Sequence, residues 1–144
     1  MKLPWEWNEQ DILDLIANQV KEDLNLDYKA CDSLGKSDGK KKEMSKDVSA
    51  FANSAGGVII YGVTEDKHLP TAIDTGYDPT DISKEWVEQV INSSIKRRID
   101  GVRINQVELK TTKPGSLLYV VAIPQSNRAP HMASDNRFYK AIQL

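Results

Sequence analysis

The chain has 144 residues, a mass of 16.2 kDa and a formal net charge of −2, values that fit one domain of ordinary size. Its 40% hydrophobic and 28% charged residues indicate a globular protein and exclude a disordered one. No membrane-length apolar run or signal-peptide core is present, and the single Cys31 excludes an intrachain disulfide and a cysteine-based zinc finger, so we expect a cytoplasmic protein without zinc or membrane contact.

The first quarter of the chain has the pattern of a helix followed by a strand. Asn8 is a typical N-cap, with Asp11 three residues on in capping-box spacing, and apolar residues then recur at helical intervals. This pattern predicts a helix over about 9–22. Apolar and polar residues alternate through the next segment, which predicts a half-buried strand whose polar face carries Asp27 and Lys29 together.

The middle of the chain predicts a loop, a helix and a central strand. Residues 31–42 are rich in Gly, Ser, Asp and Lys, a composition typical of a mobile surface loop. A second helix follows, with an apolar side running from Met44 to Ala55 and an end at Gly56-Gly57. Residues 58–63 are apolar on both faces, which indicates a strand in the interior of a sheet.

The remaining segments complete one α+β unit. Two prolines within 66–79 predict a loop, and a third helix is expected to begin near Thr80 or Asp81 and to end at a run of cations. Neither repeats nor a long linker divide the chain, so we expect residues 1–144 to form a single α+β domain, a mixed β-sheet flanked by about three helices. Three further strands are predicted, at 107–110, 117–123 and 137–142.

Charge is distributed very unevenly along the chain. Residues 96–144 carry nine Lys or Arg against three Asp or Glu, and all five arginines of the protein lie there. Arginine is the side chain best suited to bidentate contact with phosphate, so this third predicts a phosphate-binding face. The alternative is that segments of opposite charge intermix in the folded protein and cancel the asymmetry.

Carboxylates cluster near the predicted ends of the first helix and of the central strand. If the strands carrying Asp27 and residues 58–63 are neighbours, Glu22, Asp27 and Glu65 or Asp66 converge at one sheet edge. Such a cluster suits a hard divalent cation, Mg²⁺ or Mn²⁺, and Lys29 could stabilise charge that develops on a phosphodiester. The alternative is an ordinary solvated acidic surface.

Three other motifs have both a structural and a functional interpretation. Residues 30–37 match a loosened phosphate loop, but we expect the next helix to start several residues later, which disfavours ATP binding. Residues 53–57 end in a glycine pair that a helix stop explains without a ligand. The basic segment around Arg137 and Tyr139 suits phosphate contact and base stacking, or is a plain amphipathic edge strand.

The run from Lys46 to Asp66, with Asn53-Ser54-Ala55-Gly56-Gly57 and the following Tyr61-Gly62-Val63 at its centre, resembles the signature of the Schlafen-type AlbA-like domain. Two flanking pieces agree with this resemblance, which covers about residues 20–142. They are Asp27-Tyr28-Lys29, similar to the family's Glu-Phe-Lys, and the closing motif from Ile123-Pro124 through Arg128-Ala129-Pro130-His131 to Arg137-Phe138-Tyr139.

The resemblance implies an α+β nucleic-acid-binding domain. Prokaryotic members are commonly described as DNA-binding or transcriptional-regulator domains and often carry an ATP-binding label. In animal members a related core cleaves transfer and ribosomal RNA with three metal-binding acidic residues, which correspond here to Glu22, Asp27 and Glu65, with Asp66 as the alternative third. That core joins two lobes and has a zinc site, whereas this chain offers one lobe, so a two-lobed groove would require a homodimer.

Three functional hypotheses remain open. The leading one is a nucleic-acid-binding domain that contacts the phosphate backbone through basic side chains of the last third. The second adds metal-dependent cleavage, with Glu22, Asp27 and Glu65 as ligands and Lys29 as electrostatic helper. The third is a nucleotide-binding or oligomerisation module without a nucleic-acid role. The basic side chains of the first hypothesis are Arg97, Arg98, Arg128, Arg137 and Lys140.

Overall fold

The computed structural model describes residues 2–141. Two short 3₁₀ helices, Pro4–Glu6 and Cys31–Ser33, accompany the main elements. In chain order the main elements are α1 (Glu9–Ala17), β1 (Leu26–Lys29), α2 (Asp38–Ala52), β2 (Gly57–Tyr61), β3 (Val63–Asp66), β4 (Leu69–Ile73), α3 (Lys84–Ser94), β5 (Arg103–Glu108) and β6 (Leu117–Ile123).

The main sheet has four strands in the order β1-β2-β6-β5. β1 pairs with β2 in parallel, with Asp27 opposite Ile59, whereas the β2–β6 and β5–β6 pairs are antiparallel. β3 and β4 form a separate antiparallel hairpin. The prediction of an α+β domain with a mixed sheet and three helices is therefore confirmed.

The sheet separates two hydrophobic layers. On one face α2 and α3 pack against side chains such as Ile59 and Tyr119, and on the other α1 and the hairpin pack against Tyr28 and Ile60. Every residue of β6 is buried, as expected for a strand covered on both faces. β1 stays an edge strand, so the polar side chains of Asp27 and Lys29 lie at the rim of the α2 layer.

Local capping explains where the helices begin and end. The Asn8 side chain accepts a hydrogen bond from the Asp11 amide and Asp11 accepts from the Asn8 amide, so the predicted capping box is confirmed. α1 ends at Ala17, not near residue 22. The amides of Gln19 and Val20 donate to the last carbonyls of the helix, and Gln19 has a φ of +50°. This is a left-handed helix cap without glycine, so the sequence does not predict it.

The starts of α2 and α3 also differ from expectation. α2 begins at Asp38, inside the predicted loop, because the Ser37 side chain caps the Lys40 amide. α3 begins only at Lys84, since Asp78 accepts from the amide and hydroxyl of Thr80 and keeps that segment in a turn.

Two strand predictions and one loop prediction need correction. The strand expected over 58–63 is divided at Gly62, whose φ of +118° redirects the chain into β3. The loop expected over 66–79 contains β4, and the strand expected at 107–110 begins earlier, at Arg103.

The strand predicted over 137–142 is not formed by its described residues, and residue 142 lies outside the described part. One isolated bridge joins Met132 and Phe138, while the Tyr139 carbonyl accepts from the Asn53 side chain and the Ala141 amide donates to the Ala50 carbonyl. These bonds tie the segment to the end of α2 instead of to the sheet. Among residues 2–141, no helix is long and apolar enough to cross a membrane.

Candidate active site

A cleft of about 1060 Å³ opens along the exposed edge of β1. Its walls come from the segment before β1, from the β3–β4 hairpin, from the middle of α2 and from residues 139–141. The charged and polar side chains that line it are Lys21, Glu22, Asp23, Asp27, Lys29, Ser33, Lys46, Asp47, Thr64, Glu65, His68, Tyr139 and Lys140.

Glu22 is held rigidly at the entry to β1. One carboxylate oxygen accepts a hydrogen bond from the Tyr28 amide at 2.8 Å, and the other lies 2.9 Å from Nδ1 of His68. The Glu22 amide also donates to the His68 carbonyl at 2.8 Å, so backbone and side chain both connect this segment to the hairpin. Burial raises the pKa of Glu22, but hydrogen bonds from Asp27, the Tyr28 amide and His68 outweigh it and keep the pKa below its ordinary value.

The β3–β4 turn brings Glu65 and His68 to Glu22. The turn residues Lys67 and His68 have φ of +52° and +70°, a hairpin geometry that Asn and Gly normally supply. The His68 amide donates to a Glu65 carboxylate oxygen at 2.9 Å, which fixes the turn. As a result, one ligand atom from each of Glu22, Glu65 and His68 lies within 4.8 Å of the others.

Asp27 adds a second carboxyl group beside Glu22. Burial, followed by the hydrogen bond shared with Glu22, raises the pKa of Asp27 to about 8. In the metal-free protein the two carboxyl groups therefore share a proton near neutral pH. A divalent cation supplies the positive charge that this proton provides, so the donor set suits cation binding.

Lys29 lies between two carboxylates on the α2 side of the cleft. Its Nζ is 3.3 Å from Asp27 and 3.8 Å from Asp47. Burial lowers the pKa of Lys29, but Asp47 and Asp27 outweigh it and raise the pKa above its ordinary value. Burial also raises the pKa of Asp47, against the influence of Lys29. The Lys29 ammonium is thus held next to the acidic cluster by two carboxylates.

The sequence and the structure agree on part of this set. The structure brings Glu22, Asp27, Lys29 and Glu65 into one cleft. Of the four residues predicted to hold a metal, the ligand group found among residues 2–141 includes Glu22 and Glu65 but neither Asp27 nor the exposed Asp66. His68 was not predicted, although it follows Glu65 by three residues.

Asp47, which also lines the cleft, was not predicted as a site residue either. It lies inside the long family-like motif, which was the available signal for it.

The basic residues predicted to contact phosphate are all exposed, and two of them are connected to each other by a hydrogen bond. The Arg97 guanidinium donates to the Arg128 carbonyl at 3.1 Å, and Arg128 pairs with Asp100 at 3.2 Å. The fully buried His131 connects the two segments, because its ring bonds the Arg97 carbonyl on one side and the Ser126 hydroxyl on the other. The other three predicted contacts are also exposed, with Lys140 lining the cleft; they are Arg98, Arg137 and Lys140.

The remaining motifs are explained by folding contacts. α2 follows Ser37 directly, which corrects the expected delay, but Lys36 points to Asp81 at 3.9 Å and not to the start of the helix. Gly56 has a φ of +78°, and a Cβ there would lie 2.7 Å from the Ile123 carbonyl oxygen. This glycine is required by close backbone packing, as the helix-stop interpretation states.

Comparison with known proteins identifies the family. A family profile described as Schlafen, AlbA_2 matches residues 22–143. The chain belongs to the Schlafen AlbA_2 family. The match begins at Glu22 and therefore includes the whole acidic cleft. No curated protein matches the chain.

A solved structure has the same fold as this Schlafen AlbA_2 domain. It is the crystal structure of the DIP2311 protein from Corynebacterium diphtheriae, with 15% sequence identity and a TM-score of 0.55. The alignment covers 93% of this chain and 25% of that one, so the chain spans a quarter of the length of the protein it resembles.

Proposed function

We propose that this Schlafen AlbA_2 domain binds nucleic acid and cleaves phosphodiester bonds with a divalent cation bound by Glu22, Glu65 and His68. The observation that supports this most is the convergence of these three donors within 4.8 Å in a cleft that also contains Asp27 and Lys29. Family membership favours a nucleic-acid-related function. Two of the three donors, Glu22 and Glu65, are among the acidic residues that the family resemblance implies.

The donor set favours Mn²⁺ over Mg²⁺. Mg²⁺ prefers oxygen ligands and retains several waters, whereas an imidazole nitrogen beside carboxylates suits a transition metal. When bound, such a cation acts as a Lewis acid on a phosphate oxygen and lowers the pKa of a coordinated water.

The chain's own residues supply the other roles. Glu22 is already oriented by the Tyr28 amide and by His68, so little reorganisation is needed on cation binding. Asp27 can accept or release the proton that it shares with Glu22. Lys29, fixed by Asp27 and Asp47, is placed to stabilise negative charge on a phosphate that enters the cleft.

Substrate binding is assigned to the exposed cations outside the acidic cluster. Lys140 lines the cleft, and Arg97 is connected to Arg128 by the hydrogen bond from its guanidinium to the Arg128 carbonyl. With Arg98 and Arg137 they provide phosphate contacts without base recognition. Binding through such contacts weakens steeply with salt, because each neutralised phosphate releases condensed counterions.

The test is a gel assay with labelled transfer RNA and single-stranded DNA, run with Mn²⁺, Mg²⁺ or EDTA. We expect cleavage with Mn²⁺, less with Mg²⁺ and none with EDTA. Asp27→Ala and Glu65→Gln are expected to abolish cleavage, and Asp66→Asn to retain it because Asp66 lies outside the ligand group. Glu108→Gln, which removes an exposed carboxylate on β5, is the matched control.

Other outcomes distinguish the alternatives. Intact nucleic acid that is shifted on the gel would leave a binding domain without nuclease activity. Neither cleavage nor a shift would favour the nucleotide-binding or oligomerisation hypothesis, which a thermal shift with Mg²⁺ and ATP, lost in Lys36→Ala, would then support. The expected homodimer stays a prediction, which light scattering on the purified chain would test.

A further inference from the structure

Three short segments lie side by side next to the predicted basic residues. The amides and carbonyls of Lys96 and Met132 bond to each other at 2.8 and 3.2 Å, and Met132 forms a second bridge to Phe138. Residues paired across such bridges have side chains on the same side, and neighbouring strands are about 4.8 Å apart. Lys96, Met132 and Phe138 therefore form one row, called the stacking row below.

Phe138 ends this row with a ring that is open to solvent. It is 57% exposed, more than the other exposed large hydrophobic side chains Leu3, Trp5 and Leu24. Trp5 is partly covered, since the Arg103 guanidinium lies 4.5 Å from its ring centre. No comparable contact covers Phe138 among residues 2–141.

The neighbouring Tyr139 already contacts other side chains of the protein. Lys46 lies 5.2 Å from the centre of the Tyr139 ring, and the Tyr139 hydroxyl donates to Asp135. Tyr139 was the stacking residue expected from the sequence, but the free ring face in this segment belongs to Phe138.

One cation shares the stacking row with Phe138, and two more follow that cation in the chain. Lys96 belongs to the stacking row, and its Nζ donates to the Asn136 side chain at 2.8 Å, which keeps it beside the Phe138 segment. Arg97 and Arg98 follow directly in the chain and are exposed. An exposed aromatic ring in the same row as a cation offers a stacking surface for a base and a charge partner for the adjoining phosphates.

We propose that Phe138 is the stacking platform for an unpaired base, so that the domain prefers single-stranded nucleic acid to duplex. The phosphates next to that base lie on Lys96, Arg97 and Arg98. A base inside a duplex is stacked on its neighbours and cannot place its face on Phe138, whereas the phosphate contacts are available to both forms. The inference rests on the nucleic-acid-binding part of the proposed function and is independent of metal-dependent cleavage.

The experiment measures binding by fluorescence anisotropy in EDTA, so that cleavage does not interfere. The probes are a labelled single-stranded DNA of about 12 nucleotides, within the site sizes known for such grooves, and a duplex of the same length. The variants are Phe138→Ala, Phe138→Trp and, as an exposed apolar control far along the chain, Leu3→Ala.

Phe138→Ala is expected to weaken single-strand binding about 5- to 150-fold and to change duplex binding less than about twofold. Phe138→Trp keeps single-strand affinity, and Leu3→Ala leaves both affinities unchanged. An unchanged single-strand affinity in Phe138→Ala, or an equal loss for both probes, would overturn the stacking role while the proposed function stands. If the native protein binds neither probe, the nucleic-acid proposal and this inference fail together.

Discussion

The substitution Asp27→Asn is expected to stabilise the metal-free protein at neutral and alkaline pH. In the folded chain burial and Glu22 raise the pKa of Asp27 to about 8, whereas an exposed aspartate titrates near pH 3.9. Asparagine cannot ionise, and its amide can donate to Glu22 as the protonated Asp27 does. The variant therefore retains the hydrogen bond and loses the cost of ionising a buried carboxyl group.

The size of the effect follows from proton linkage. Below about pH 4 the carboxyl group is protonated in both the folded and the unfolded chain, so stability does not depend on it. Between about pH 4 and the folded pKa of about 8, only the unfolded chain releases the proton, and the free energy of unfolding falls by up to about 1.36 kcal/mol per pH unit. Above about pH 8 the loss is complete.

Two neighbouring groups leave this pH dependence almost unchanged. Folding lowers the pKa of Glu22 and raises that of Lys29, so above about pH 5 both are charged in the folded and the unfolded chain alike. The full slope over about four pH units corresponds to about 5 kcal/mol, but the Asp27 side chain is 24% exposed and water screens part of this cost. We therefore expect Asp27→Asn to unfold with about 2 kcal/mol or more additional free energy relative to the native chain at pH 8, and with nearly equal free energy at pH 4.

Urea unfolding in EDTA at a series of pH values measures this difference. The control is Glu108→Gln, which removes an exposed carboxyl group on β5 and is expected to run parallel to the native chain. An equal loss of stability by Asp27→Asn and the native chain between pH 4 and pH 8 would show that Asp27 does not carry this pH dependence.

Three further predictions concern binding and folding. Arg97→Gln should reduce the salt slope of nucleic-acid binding by about 1, measured by anisotropy over a salt series, and an unchanged slope would remove Arg97 from the interface. Gly56→Ala should lower the free energy of unfolding by about 2 kcal/mol or more, since the φ of Gly56 is +78° and a Cβ would lie 2.7 Å from the Ile123 carbonyl oxygen. An unchanged free energy of unfolding would contradict this close packing. Asn53→Ala should lower the free energy of unfolding in urea by about 2–3 kcal/mol. The Asn53 side chain accepts from the His131 amide and donates to the carbonyls of His131 and Tyr139. A decrease below about 0.5 kcal/mol would show that other partners replace these hydrogen bonds.

Parts of the fold that depend on strong local patterns were predictable. β2 and β6 are apolar on both faces, which marks buried central strands whatever their partners. The capping box of Asn8 and Asp11 placed the start of α1. Its end was not predictable, because Gln19 takes the left-handed position that glycine usually occupies.

The site was only partly predictable for a related reason. Glu22, Asp27 and Glu65 could be grouped because carboxylates near neighbouring strand ends can meet at one edge. His68 could not, since β4 contains Pro70 and its turn has neither Asn nor Gly, so the hairpin looked like a loop. Asp47 resembles any polar residue on a helix until the packing of α2 places it beside Lys29.

Calorimetric titration of the metal-free protein with Mn²⁺ measures whether the cleft binds a divalent cation. We expect one site per chain, lost in Glu65→Gln and in His68→Ala and retained in Asp66→Asn, because only the first two remove a donor of the group. Binding that survives loss of both Glu65 and His68, or that is absent from the native chain, would contradict the assignment of a metal-binding cleft.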